Sequence, residues 1–475
     1  MKKALSILTV LLTVLIPCEL AAQNNIDYKT ITGSWIGKIP AGGISLRVIF
    51  NLSLAGKDSL ISTMDSPDQG VKGIKVGPVK FDGKDLNIKA PLLLGEYNGT
   101  LKSDTLIEGI WKQAGKTFDL NLTRLTGVFS LNRPQEPKPP FPYISEDVTF
   151  KNEKFNITLA GTLTIPDGKG PFPAVIMITG SGAQNRNEEL MGHKPFWVIA
   201  DYLTRNGIAV LRYDDRGVGK SQGVYSTATT ADLGTDAEAA FIYLKNNSLI
   251  DPQKIGLAGH SEGGMIAPMI AAQNKEVAFI VSIAGPGAKG EEILHRQNYD
   301  ISKAAGAPEK DIQTGISTNK KLFSIIKKEK DNKIAEEKMT VACKKILAKE
   351  KTTPEDSEKA MKQLQSQFGT LTSSWFRYFL TFDPSAYWKK VKCPVLILNG
   401  EKDLQVAADV NPPAIEKALK SGKNNSYTTH VFPGLNHLFQ HTKTGLPSEY
   451  GNIEETFSPE VLKVMADWII HLENK

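Results

Sequence analysis

A chain of 475 residues, 41% hydrophobic and 23% charged, has the composition of a soluble globular protein but is too long for one compact core, so two or three domains are expected. The net charge of +6 is mild for this size, and no Arg-rich or aromatic-interleaved stripe gives the footprint of a nucleic-acid binder. No Cys/His cluster has metal-ligand spacing and neither an HExxH motif nor a phosphate loop occurs, so no metal or cofactor is expected.

The chain opens Met1-Lys2-Lys3, runs without charge from Ala4 to Ile16, and reaches Pro17-Cys18-Glu19-Leu20-Ala21-Ala22. This is the basic, apolar and small-residue succession of a secretory leader, with cleavage placed after Ala22. The apolar run is too short for a stable membrane span. Lipid anchoring at Cys18 is the alternative, disfavoured because Pro17 stands where a lipobox wants a small residue. Loss of two lysines and one glutamate with residues 1–22 brings the charge from +6 to +5. A secreted or periplasmic location permits disulfides, but the spacing of Cys343 and Cys393 carries no framework signal, and two separate thiols is the preferred reading.

Residues 24–131 read as a small antiparallel β domain, a sandwich or barrel. In Ile44–Leu54 every even position is apolar and most odd ones are polar, the period of a half-buried strand. Phe81-Asp82-Gly83-Lys84 is a hairpin turn. Further strands are expected at Tyr97–Leu101, Thr105–Trp111 and Thr117–Leu122. Trp35 and Trp111 are read as core in preference to a ligand surface. Five prolines in residues 132–142 make an extended linker and mark the domain boundary.

From residue 143 the pattern changes. A hairpin (Glu146–Asn152, Ile157–Pro166) precedes apolar strands at Ala174–Thr179, Ala209–Tyr213, Ile255–Ala258 and Phe279–Ala284. Helices are expected at Phe196–Asn206, Ala231–Lys245 and Gly264–Gln273. Strands without alternation, separated by amphipathic helices, define a parallel sheet covered on both faces. Residues 287–385 interrupt it with a lysine-rich helical insertion, with helices at Ile312–Lys328, Ile334–Lys349 and Asp356–Phe368. Its place between two sheet strands suggests a cap over the sheet's active edge. Its aromatics, including Trp375, Phe376, Tyr378, Phe379 and Phe382, are read as cap-to-sheet packing before a substrate wall. Strands at Val395–Asn399 and Tyr427–Phe432, with helices at Pro413–Leu419 and Pro459–Leu472, complete the domain.

In such a sheet ligands bind beyond the carboxyl ends of the strands. Four features fall there: Gly180-Ser181-Gly182, Ser261 in Gly259-His-Ser-Glu-Gly263, Asp403 in Gly400-Glu-Lys-Asp403, and His437 in Gly434-Leu-Asn-His437. A serine hydroxyl needs a base within reach, and the histidine base needs a carboxylate to hold its tautomer. The order Ser261, Asp403, His437 is that of a hydrolase built on this sheet. Among rivals, His430 is read as structural, His441 as lying on a following turn, and His260 as pointing away from the nucleophile beside the sheet. Asp409 is far from the strand end, and Glu401 precedes the usual position. Activity should rise with pH as the base histidine loses its proton. The oxyanion donors are expected to be the backbone N–H groups of Glu262 and Ser181. The Glu262 side chain is read as bonding a neighbouring loop, with a substrate amine as the alternative.

With these motifs in place, residues 145 to the C-terminus resemble the α/β-hydrolase superfamily. Gly259–Gly263 is similar to its nucleophile elbow, and Asp214-Asp-Arg-Gly-Val-Gly-Lys-Ser221 to its Asp-x-Arg-Gly-x-Gly-x-Ser turn. Thr179-Gly-Ser-Gly-Ala-Gln-Asn-Arg-Asn-Glu188 resembles the corresponding segment of EstD-like bacterial esterases, near the serine-aminopeptidase-like and dienelactone-hydrolase-like branches. Thr179 stands where many relatives have histidine, and Arg186 and Glu188 are read as structural partners near the site. The resemblance implies a serine carboxylesterase that cleaves short-chain acyl esters through an acyl-enzyme. A serine peptidase on the same triad is the alternative. A third reading is a glycan- or peptide-binding protein that uses the β domain and carries a vestigial hydrolase.

Overall fold

A computed structural model describes residues 26–473 apart from 42–43, 57–58, 114, 128, 130 and 349–352. The leader reading of residues 1–22, with Cys18, lies outside the described residues. Two compact units are present: among the described residues, 26–39, 49–65 and 73–127 form one, and 40–48, 66–72 and 129–473 the other.

The first sheet contains β1 (Gly33–Ala41), β2 (Ile44–Leu54), β3 (Leu60–Ser66), β4 (Val71–Val76), β5 (Val79–Phe81), β6 (Asp85–Ala90), β7 (Gly95–Ser103), β8 (Leu106–Gln113), β9 (Lys116–Asp119) and β10 (Leu122–Arg124). They pair in the order β4-β3-β2-β1-β10-β8-β7-β6-β5, with β9 also on β8. Phe50 on β2 stacks on Tyr97 of β7 at 5.6 Å, although three strands lie between them along the sheet. The sheet therefore curls into a near-barrel around these rings. Trp35 and Trp111 are fully buried, so neither offers a ligand platform. The predicted strand Thr117–Leu122 is divided. Buried Leu120, with Asn121, separates β9 from β10, and the Asn121 carbonyl and Leu120 side chain lie against Gly37, where a Cβ would not fit.

The second sheet contains β11 (Tyr143–Asn152), β12 (Ile157–Pro166), β13 (Phe172–Ile178), β14 (Ala209–Tyr213), β15 (Ile250–His260), β16 (Phe279–Ile283), β17 (Val395–Gly400) and β18 (Tyr427–Phe432), in the order β11-β12-β14-β13-β15-β16-β17-β18. β12 pairs antiparallel with both β11 and β14, and the pairings from β14 through β18 in that order are parallel. Its helices are α1 (Pro195–Arg205), α2 (Thr230–Lys245), α3 (Gly263–Ala271), then an insertion of α4 (Gly290–Ala304), α5 (Glu309–Lys328), α6 (Asn332–Leu347), α7 (Pro354–Gln365), α8 (Phe368–Leu371), α9 (Ser374–Thr381) and α10 (Ser385–Trp388), and finally α11 (Asn411–Ser421) and α12 (Pro459–Glu473).

The central strands lack alternation because both faces are covered. Ala174, Ile176 and Ile178 of β13 join a core with α2, α3 and α11, while Val175 and Met177 face α1 and α12. β15 starts five residues earlier than its apolar run suggests. Asp251-Pro252-Gln253-Lys254 reads as a turn, yet Ile250 pairs with Phe172 through an irregularity in the β13–β15 register. The insertion has a core of its own from α5, α6 and α9, including Phe323, Met339, Cys343 and Phe376. A second cluster joins Phe379 and Phe382 to Met265 and Met269 of α3. Cys343 and Cys393 are free thiols.

Candidate active site

β15 delivers the chain to Ser261, which adopts φ +50° and donates its N–H to Ile283 O at 2.9 Å. A left-handed backbone is costly for a residue with a side chain, so the neighbours must hold it there. They do so at close quarters. A Cβ at Gly259 would collide with the Gly263 carbonyl, one at Gly263 with the Ile178 carbonyl, and one at Gly264 would press on Gly285. Gly263→Ala should therefore lower unfolding free energy by about 3 kcal/mol through overpacking against backbone that cannot retreat. Urea denaturation checks this. α3 starts immediately after the turn and aims its N-terminal dipole at it.

The chain turns after β17, and Asp403 is held on both oxygens. Oδ1 accepts from the N–H groups of Gln405 and Val406, each at 2.8 Å, and Oδ2 accepts from His437 Nδ1 at 2.7 Å. Both side chains are buried. Asp403 is a pure acceptor toward His437, so Nδ1 carries the proton and Nε2 is left as an acceptor. The loop after β18 is fixed by Asn436, whose Oδ1 accepts from Leu438 N–H at 2.9 Å and Gln440 N–H at 3.0 Å. Among the described residues no hydrogen bond joins Ser261 Oγ to His437. The structure thus joins two of the three sequence-predicted residues directly. Ser261 is linked to the same neighbourhood through its neighbour His260.

The turn after β13 lies against the serine: a Cβ at Gly180 would stand 3.2 Å from Ser261 Cβ. Its amides are occupied in alternation. Gly180 N–H donates to Glu188 Oε1 at 2.7 Å, Gly182 N–H to the Tyr225 hydroxyl oxygen at 2.9 Å, and Gln184 N–H to Asp215 Oδ2 at 2.9 Å. Among the described residues, the N–H groups of Ser181 and Glu262 have no protein acceptor. Thr179, the residue that departs from the superfamily pattern, donates its hydroxyl to Asp215 Oδ1 at 2.8 Å. Burial raises the Asp215 pKa to about 7, with the hydrogen bonds from Gln184 and Thr179 working against it.

His260 differs from expectation. Its partners are not those of a bystander beside the sheet: the ring packs 4.7 Å from the His437 ring. Nδ1 meets Glu188 Oε1 at 2.9 Å and Nε2 meets the His437 carbonyl at 3.0 Å. Both partners are acceptors, so the ring is fully satisfied only as imidazolium. Burial pulls its pKa down, but the Glu188 carboxylate, the His437 carbonyl and Asp403 together outweigh that and hold it above the ordinary 6.5. A raised histidine pKa stabilises the fold fully below the unfolded value and loses that contribution as pH rises through the folded one. The stability gap between wild type and His260→Gln should therefore be larger at pH 6 than at pH 9, which urea titrations at the two pH values would measure.

The Glu262 side chain is fully engaged by protein donors. It is 1% exposed and accepts from the Thr230 hydroxyl at 2.6 Å and from Trp375 Nε1 at 2.8 Å. These donors stand on α2 and α9, and Ser181 of the turn after β13 is a further partner, so the expected loop contact is joined by two helix contacts. The rivals are engaged elsewhere. His430 is exposed and stacks on Phe432, and the His441 side chain is 62% exposed beside Glu455. Asp409 pairs with Arg296, and Glu401 accepts from Gly434 N–H. Arg186 pairs with Asp214 and Asp147. Asp215 and Tyr225 went unread in the sequence. The paired aspartates of Asp214-Asp215 were the signal for the first, and nothing local marked the second. Among the described residues no group of three or more His, Cys, Asp or Glu is arranged to hold a metal ion, and no helix is long and apolar enough to cross a membrane.

A mostly parallel sheet with a serine-bearing elbow after one strand and an Asp–His pair after two others is the architecture of the α/β-hydrolase superfamily. Within it the chain belongs to the X-Pro dipeptidyl-peptidase family (S15 family), whose sequence pattern matches residues 156–412. Esterase EstD of Thermotoga maritima is 26% identical over 312 residues, which is 65% of this chain and 65% of that protein. An uncharacterized 31.7 kDa protein from the traX-finO intergenic region of Escherichia coli is 26% identical over 322 residues, 67% of this chain and 97% of its own length. The Pyrococcus furiosus esterase Pf2001 aligns in structure with a TM-score of 0.43 at 17% identity, over 73% of this chain and 98% of the esterase.

Proposed function

We propose that the chain is a serine carboxylesterase acting on short-chain acyl esters. The observation that carries this reading is the His437–Asp403 hydrogen bond, which leaves Nε2 as an acceptor on the sheet edge that presents Ser261. Ser261 Oγ attacks the ester carbonyl carbon while His437 Nε2 takes its proton. The tetrahedral oxyanion collects the N–H groups of Ser181 and Glu262. Collapse expels the alkoxide, which receives the proton from His437 and leaves as alcohol. Water then repeats the sequence on the acyl-enzyme, with His437 again the base, and releases the acid and free Ser261. No cofactor is needed. The leader read in residues 1–22 adds the proposal that this chemistry takes place outside the cytoplasm, in the periplasm or the medium.

A peptidase on the same triad is the second reading, favoured by the family match to X-Pro dipeptidyl-peptidases. An aminopeptidase needs an acid for the substrate's amino group. Glu262, the acid beside the nucleophile, already accepts from Trp375 and Thr230, which supports the ester reading. Glycan or peptide binding by the β unit draws no support from its tryptophans, which are core. The discriminating assay compares p-nitrophenyl acetate and butyrate with X-Pro and aminoacyl p-nitroanilides. Higher kcat/KM on the esters is expected. Tenfold higher values on either anilide class would replace this reading with the peptidase.

A further inference from the structure

Glu262 carries a carboxylate that the proposed chemistry does not use. It is buried and forms no ion pair among the described residues, although burying an unpaired acid is costly. Burial raises its pKa, opposed by hydrogen bonds from Thr230, Trp375 and Ser181. Its partners come from separate parts of the domain. Thr230 is the first residue of α2, whose N-terminus is fixed by a reciprocal Thr229–Asp232 capping box. Trp375 is on α9 of the insertion, and its indole N–H reaches both carboxylate oxygens, at 2.8 and 3.0 Å. Ser181, the third partner, is on the turn after β13 and contributes its hydroxyl. The Trp375 ring also stacks on Phe379 at 5.3 Å, and Phe379 packs with Met265 and Met269 of α3. An indole N–H can only donate, so its position requires an acceptor here.

We propose that the Glu262 side chain is a positioning residue that latches the inserted helices, through Trp375, to the nucleophile elbow and the oxyanion turn. This rests on the reading of Ser261 as nucleophile. One residue then serves twice: its N–H faces the reacting oxygen, and its carboxylate sets where α9 and Ser181 stand relative to that N–H. A shift of α9 is transmitted to the residue that follows the nucleophile, so the insertion acts on turnover as well as on access.

Two variants with unlike folding risks test the latch. Trp375→Phe keeps the ring and deletes the N–H, while Glu262→Ala removes the acceptor. Each should lower kcat on p-nitrophenyl butyrate about tenfold with KM within about twofold, the scale of one lost hydrogen bond to a charged or polar partner. The double variant should be no slower than the slower single one, because both remove the same bond. Glu262→Gln, whose amide oxygen can still accept, should recover most of the alanine loss. Hydrogen–deuterium exchange across residues 374–381 should be faster in Trp375→Phe and Glu262→Ala than in wild type. Full kcat in Trp375→Phe with unchanged exchange overturns the latch and leaves the esterase reading standing. Should wild type itself turn over neither ester nor anilide, the function reading falls and exchange alone decides: unchanged protection overturns the latch, faster exchange supports it.

Discussion

Ser261→Ala should lower kcat for p-nitrophenyl butyrate by about 10⁶-fold while KM stays within a few fold. The fold should tolerate the change. Alanine keeps the Cβ that already fits the turn, and the Ser261 N–H bond to Ile283 is a backbone contact. The variant loses the nucleophile but keeps the two unpaired N–H groups, so a residue of catalysis over water should persist from polarisation of the bound carbonyl. Pre-steady-state kinetics provide the check: wild type should release a burst of nitrophenol stoichiometric with enzyme, and the variant none. A fluorophosphonate should add its mass to wild type only. Turnover of the variant within tenfold of wild type would remove Ser261 from the mechanism altogether.

The second large effect is expected from Asp403→Asn, at about 10⁴-fold in kcat. The geometry says why an isosteric change is so damaging. Oδ1 receives two backbone N–H groups, so the amide of asparagine must place its oxygen there. Its NH2 then points at His437 Nδ1, where Oδ2 had accepted. A donor in that position makes Nδ1 the acceptor and moves the ring proton to Nε2, which can no longer receive a proton from serine. The defect is one of tautomer, with the residues still in place. Burst amplitude should therefore survive while the burst rate falls, and circular dichroism should match wild type.

Much of this candidate site was legible because chemistry in a parallel sheet collects at strand ends, and each of Ser181, Ser261, Asp403 and His437 closely follows an expected strand. The core was legible for the same reason that β13 lacks alternation: both faces of the strand are covered. What escaped depended on residues far apart in the chain. Glu188 and His260 are 72 positions apart, and nothing next to His260 announces that both its nitrogens meet acceptors. Trp375 and Glu262 are separated by 113 positions, so the packing of the aromatic was legible but its hydrogen bond to the acid was not. The start of β15 was missed because residues 251–254 are not an apolar run, and the pairing of Ile250 with Phe172 carries the strand across them.

The alternating occupation of the turn after β13 bears on inhibitor choice. With the amides of Gly180, Gly182 and Gln184 each tied to a different partner, the peptide planes on either side of the free Ser181 N–H are held in place. On the proposed chemistry the turn offers a ligand the free Ser181 N–H between these anchored planes. Boronates and phosphonates, whose captured adducts place negative oxygen at that point, meet a receptor already in shape. Ligands that bring an amide donor to the same spot face a wall of like partial charge. On the proposed chemistry, selectivity for anionic tetrahedral adducts is thus built into the unliganded backbone.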